Sequence, residues 1–303
     1  LASMANISHF ISGSFISPNF LVDKDGLAGE GCATPLPPHG SGAPATKACE
    51  VPHDDDENFI VNRRNGDMVV GQGRVTFWCA VPQARFKREG DVAFPVSIYG
   101  HGYGSTRFEM LGFAGFHARF GIATCSTDVF GHGLAIPPAL LGVLNRITED
   151  VHAEGLLAAL TDGRARDLNN DGEKDSGGDY WTADTFHTRD VVRQSVVDWM
   201  HFVRLLRSFD GQRQMSVSIL HPDGTEEQLE GIAGDFDGDG AIDIGGRNSQ
   251  YFAWGQSMGG IISGSFAGVE QALTAAAPTA GAGGLLDVGV RSIQGGVKEA
   301  VHL

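Results

Sequence analysis

Residues 251 to 260 read Tyr251-Phe-Ala-Trp-Gly-Gln-Ser-Met-Gly-Gly260, a short apolar run that ends in Gly255-Gln-Ser257-Met-Gly259 and passes into small residues. This is the pattern of a nucleophile elbow, a sharp turn from strand to helix that holds one serine hydroxyl up on the turn. The glycines answer to that geometry, because the turn strains the serine backbone and crowds its flanks against neighbouring chain. In a sequence with 43 glycines among 303 residues the pentapeptide is weak by itself, so its context has to carry it. Tyr251 to Trp254 has the composition of a buried strand, and Met258 to Val269 that of a small-residue helix packed closely on a sheet. Ser257 is therefore the candidate nucleophile.

Working outward, Phe94-Pro-Val-Ser-Ile-Tyr99 reads as a strand running into Gly100-His-Gly-Tyr-Gly104. An acyl-transfer serine needs backbone N–H donors aimed at the developing oxyanion, one from a Gly-rich turn and one from the residue after the nucleophile. Tyr103 and Met258 are the candidates for these donors. A third strand, Gly121-Ile-Ala-Thr-Cys-Ser-Thr127, ends in Asp128-Val-Phe-Gly-His-Gly133.

A strand ending in His-Gly, a strand ending in Asp-x-x-Gly-His-Gly, and the G-x-S-x-G turn, in that order over about residues 70 to 280, resemble the α/β-hydrolase family. Within it the chain looks most like the large secreted bacterial lipases and esterases with long insertions. The resemblance implies a mostly parallel sheet with flanking helices, with Ser257 as nucleophile and Tyr103 or Gly104 lining the oxyanion hole. It also implies that His101 and His132 are structural.

The family places its acid and then its histidine after the serine. Here the segment after Ser257 holds one helix, a strand at Ala272 to Ala277 and a tail. Apart from Glu270 and Glu299, only Asp287 and His302 fit the order. His302 would have no later strand to hold it within reach of the serine. The expectation is that this chain is the amino-terminal part of a longer catalytic unit. The acid and histidine would then lie on a carboxy-terminal continuation or a second polypeptide.

The formal charge of −15 and the lack of a dense basic run exclude a nucleic-acid surface, which needs cations to neutralise phosphate. No apolar run approaches the 18 or so residues that span a bilayer. The acidity gathers instead in two segments. One runs through Asp167, Asn169, Asp171, Glu173 and Asp175, the other through Asp235, Asp237, Asp239, Ala241 and Asp243. Both place oxygen side chains at positions 1, 3, 5 and 9 with glycine at 6, and the residue at 7 offers a carbonyl. Such a loop wraps a hard cation that takes six or more oxygens. The expected cofactor is structural Ca2+ at both loops, although position 12 is glycine in each, with Asp179 the nearest substitute in the first.

Cys32 and Cys49 bracket a Pro/Gly/Ala-rich segment that a disulfide would close in an oxidising compartment. Cys79 and Cys125 fall in expected strands, as buried thiols or a second bridge, and four cysteines allow three pairings. Together these features point to a protein secreted by a bacterium, extracellular or at its surface. Residues 1 to 68 read as an irregular Gly/Pro-rich extension. Residues 69 to 303 read as the core, with insertions at 134 to 180 and 210 to 250. His187 to Phe209 is the clearest amphipathic helix. The first insertion carries Leu140, Leu144, Ile147 and Val151 at helical spacing, either a lid over an acyl pocket or a fixed cap.

Three classes fit these residues. One is a secreted serine hydrolase cleaving small-molecule or lipid esters, and the second an amidase, peptidase or acyltransferase with the same serine. The third is a catalytically incomplete calcium-stabilised surface module.

Overall fold

The computed structural model describes residues 2–22, 58–150, 154–166, 173–182, 184–220, 225–294 and 296–302. In chain order the strands are β1 (Ile7–Asn19), β2 (Gly71–Pro82), β3 (Val96–Gly100), β4 (Ala123–Thr127), β5 (Gln214–Leu220), β6 (Glu226–Ile232), β7 (Tyr251–Gln256) and β8 (Leu273–Thr279). Six of them form one sheet in the order β1-β2-β4-β3-β7-β8. The first two are antiparallel to each other, and β2 is antiparallel to β4. From β4 through β3 and β7 to β8 every pairing is parallel. The expected mostly parallel α/β sheet with flanking helices is thus met.

β3 and β4 are buried at every position, as parallel strands covered on both faces must be. One cover is the helix α4 (Thr185–Arg207). Asp184 caps its start, accepting from the N–H groups of Phe186 at 2.8 Å and His187 at 3.3 Å. Arg204 and Arg207 stand in its last turn, where cations favour the helix dipole. Its buried stripe includes Val191, Trp199, Phe202 and Leu206, each worth about 1.5–3 kcal/mol of burial. Phe202 stacks on Phe15 at 5.5 Å, and Trp199 meets Phe266 edge-on at 5.4 Å.

That Phe15 contact corrects the reading of residues 1 to 68 as irregular. β1 lies inside that span and pairs with β2 along its whole length, from Ile7 with Pro82 to Asn19 with Gly71. Its serines, glycine and proline mask the strand in the sequence. They are tolerated because β1 is a sheet edge that buries few positions, Ile7, Ile11 and Ser17.

Cys79 and Cys125 are register partners on β2 and β4 and are joined as a disulfide. Cys32 and Cys49 lie outside the described residues. The first insertion forms α2 (Pro138–Asp150) and α3 (Glu154–Thr161). The expected helix is present, yet Leu140 and Ile147 of its apolar stripe face solvent together with Val143. Val151 lies outside the described residues. The second insertion holds the antiparallel β5–β6 hairpin, which the sequence reading did not anticipate. No described helix is long and apolar enough to cross a membrane.

Candidate active site

Ser257 ends the apolar strand β7 and caps the helix α5 (Met258–Ala267) with φ 56° and ψ −117°. It is one of two described non-glycine residues with positive φ, and a backbone held there costs of order 1–3 kcal/mol unless its surroundings fix it. Those surroundings are tight. The Ser257 N–H donates to Thr279 O at 3.0 Å, and Ser257 O accepts from Ile261 N–H at 3.1 Å as the helix begins. A Cβ on Gly259 would overlap the carbonyl of Gly100, and one on Gly100 would lie 2.9 Å from Gly259 Cα and 2.8 Å from the Trp199 ring. Only glycine at both positions lets α5 sit directly on β3.

The turn after β3 is held from below. Glu109 lies in the 3-10 turn Arg107–Gly112, and its Oε2 accepts from Gly102 N–H at 2.7 Å. His101 is fully buried. Its Nε2 accepts from Val129 N–H at 3.0 Å while Nδ1 donates to Gly102 O at 2.9 Å. Burial lowers its pKa to about 4, so the ring is neutral and its lone pair is already used. His132 is buried beside it, lowered to about 3 chiefly by burial, with Nδ1 3.1 Å from Phe130 O. Both rings thus bond turn backbone, while His132 Nε2 has no hydrogen-bond partner among the described residues. With Gly102 N–H occupied, the N–H groups of Tyr103 and of Met258 donate to no acceptor among the described residues.

Below the two turns Arg107 is completely buried. Its guanidinium pairs with Asp128 and donates to Ala159 O at 2.6 Å and Leu160 O at 3.0 Å, and its N–H donates to Asp128 Oδ1 at 2.7 Å. One side chain therefore ties the turn after β3, the turn after β4 and the end of α3. Sequence reasoning missed this pair, since an arginine in a polar loop gives no sign of burial.

No described residue hydrogen-bonds the side chain of Ser257. Asp287 sits exposed on α6 (Leu285–Arg291), 3.3 Å from Arg291 Nε, so it is a surface pair. Glu270 accepts from Ala272 N–H and Glu299 from Gly296 N–H. The backbone of His302 closes α7 (Val297–His302).

The second acidic loop brings oxygens of Asp235, Asp237 and Asp239 within 4.8 Å of one another. That donor set is oxygen only and fits a hard cation. Asp243 is not among them; its Oδ2 accepts from Phe236 N–H at 2.6 Å and closes the loop, as the two Asp235 oxygens do by accepting from Gly238 and Gly240 N–H. In the first loop Asp167, Asn169 and Asp171 lie outside the described residues, while Glu173 and Asp175 fall within them. Asp179, the nearest substitute for position 12, is buried between His187 Nε2 and an Arg166 amino nitrogen, both at 2.8 Å.

No protein-family model matches the chain, and no curated protein sequence matches it. Several solved structures show a distant likeness of fold. An acetyl xylan esterase from Paenibacillus sp. R4 is 15% identical over 81% of this chain and 59% of its own, at a TM-score of 0.39. A carboxyl esterase from Bacillus coagulans is 12% identical over 67% of this chain and 38% of its own, at 0.32. An acylaminoacyl peptidase from Pyrococcus horikoshii is 9% identical over 80% of this chain and 26% of its own, at 0.36. The chain thus spans 59% of the first and less than half of the other two.

Proposed function

We propose that the protein is a serine hydrolase that cleaves carboxylic esters through an acyl-enzyme on Ser257. The observation that carries this reading is Ser257 itself, held at positive φ on the strand-to-helix turn, with the uncommitted N–H groups of Met258 and Tyr103 as oxyanion donors. The serine attacks the ester carbonyl, the negative charge developing on oxygen is met by those two N–H groups, and the alcohol leaves. Water then releases the acid. The hydroxyl needs a base, and His101 is unsuited because its acceptor nitrogen is occupied.

The base and its acid are assigned to polypeptide outside the described residues, laid beside β8. Support for this comes from β8 itself, which has a paired strand on one side only among the described residues and is exposed along most of its length. Calcium at 235–243, and at 167–175, is proposed as a structural staple. Secretion is supported by the Cys79–Cys125 disulfide, which persists in oxidising compartments.

The test is hydrolysis of p-nitrophenyl esters beside the matching anilides, with the native protein and Ser257→Ala. Ester turnover that Ser257→Ala removes is the expected result. Turnover of anilides alone would make the protein an amidase, and turnover that survives Ser257→Ala would remove the serine from the reaction.

A further inference from the structure

α4 precedes the parallel strand β7, so its amino-terminal end stands at the carboxyl ends of the strands, where Ser257 also stands. A cavity of about 200 Å³ opens there. Its walls are Trp181, Phe186, Leu285, Leu286, Gly289 and Val301, with Thr185 and Thr188 at its edge. Two chain segments connect this cavity to the nucleophile. Trp181 follows Tyr180, whose ring packs 6.0 Å from Tyr103 in the turn after β3. Leu285 and Leu286 follow closely on Thr279, whose carbonyl binds Ser257 N–H, and on Gly281, which touches Gly260 in α5.

We infer that this cavity is the acyl subsite of the Ser257 reaction and that it selects compact uncharged acyl groups, short-chain aliphatic or aromatic. The inference rests on the serine-hydrolase reading above. Size favours a compact group, since a dry cavity of about 150 Å³ already holds a benzene ring, and the 200 Å³ here, open to solvent past Phe186 and Leu286, matches a phenyl or hexanoyl group. Charge sets the other limit. The one charged lining residue is Arg189, and its guanidinium is engaged twice by Asp190 at 2.7 Å and lies 4.9 Å over the Phe186 ring. A carboxylate on the acyl chain would have to compete with Asp190 for it.

Two variants push selectivity in opposite directions, which a folding defect cannot imitate. Leu286→Trp fills the cavity and Phe186→Ala opens it, and both positions are more than half exposed at its mouth. The readout is kcat/KM for acetate, hexanoate, benzoate and dodecanoate esters of p-nitrophenol, using the native protein together with whatever polypeptide supplies its base. The native protein should prefer hexanoate and benzoate over dodecanoate. Leu286→Trp should lower the hexanoate-to-acetate ratio by about tenfold or more, the scale on which one or two methylenes are read in an apolar pocket. Phe186→Ala should raise the dodecanoate-to-hexanoate ratio.

Labelling by a small fluorophosphonate separates the two ways of failing. Labelled Ser257 with a chain-length profile that neither variant moves would overturn the subsite and leave the nucleophile standing. A protein that stays unlabelled and inactive with the base-supplying polypeptide present would overturn the nucleophile and the subsite with it.

Discussion

Arg107→Leu is the perturbation whose cost follows most directly from the structure. The substitution keeps the hydrogen bond from the residue 107 N–H to Asp128 Oδ1 but removes the only guanidinium paired with that carboxylate among the described residues, and both side chains are buried to within 1%. Breaking a buried ion pair from one side costs about 3–5 kcal/mol, because the remaining charge stays desolvated. The carbonyls of Ala159 and Leu160 lose their donor as well, so the upper half of that range is expected. Set against a typical total of about 5–15 kcal/mol, the loss is a large fraction of the stability. Urea unfolding followed by tryptophan fluorescence reads it as a lower midpoint at unchanged slope. Adding Asp128→Asn removes the stranded charge and should recover at least half of the loss. A single-variant cost below about 1 kcal/mol, or a double variant no better than the single, would refute a buried pair as the clamp.

Gly259→Ala drives a methyl group into the Gly100 carbonyl, backbone against backbone, and should cost more than the usual 1–3 kcal/mol of overpacking; a thermal midpoint within a few degrees of the parent would contradict the close contact. His101 and His132 titrate near 4 and 3 when folded, below the ordinary 6.5. Between those values the unfolded chain binds protons that the folded one refuses. Stability is therefore full above about pH 6.5 and falls as pH drops toward 4, by up to about 1.4 kcal/mol per pH unit per histidine. His132→Gln should flatten that slope in urea titrations across the interval. Chelation of calcium should lower the thermal midpoint, and Asp239→Ala should shrink the difference, since an ion at 100-fold over its Kd stabilises by about 2.7 kcal/mol; identical midpoints with chelator and with added calcium would make the loops ordinary acidic turns.

The parts of this fold that were legible in the sequence are those where a local pattern and the tertiary environment agree. β3, β4 and β7 are short apolar runs, α4 repeats its apolar residues at helical spacing, and Gly255 and Gly259 stand where only glycine fits. The elements that escaped are set by partners distant in sequence. β1 reads as a Ser/Gly/Pro loop until β2 is placed beside it. Hairpin β5–β6 has Glu226, Glu227 and Glu230 on a strand, against ordinary strand preference. The site divides in the same way. Ser257, Tyr103 and Met258 follow from motif chemistry, whereas Arg107 with Asp128, Glu109 on Gly102 and Asp179 with His187 are tertiary pairings with no spacing to announce them. The acidic loops were half legible, because alternate-residue spacing gathers Asp235, Asp237 and Asp239 but does not foretell that Asp243 turns back to Phe236.

The central claim is that Ser257 is the nucleophile, and covalent capture tests it most directly. Native protein treated with a fluorophosphonate near pH 8, then digested and analysed by mass spectrometry, should carry a single adduct on the peptide containing Ser257. Ser257→Ala should carry none. An adduct on another serine, or ester turnover that continues while Ser257 stays unmodified, would contradict the account.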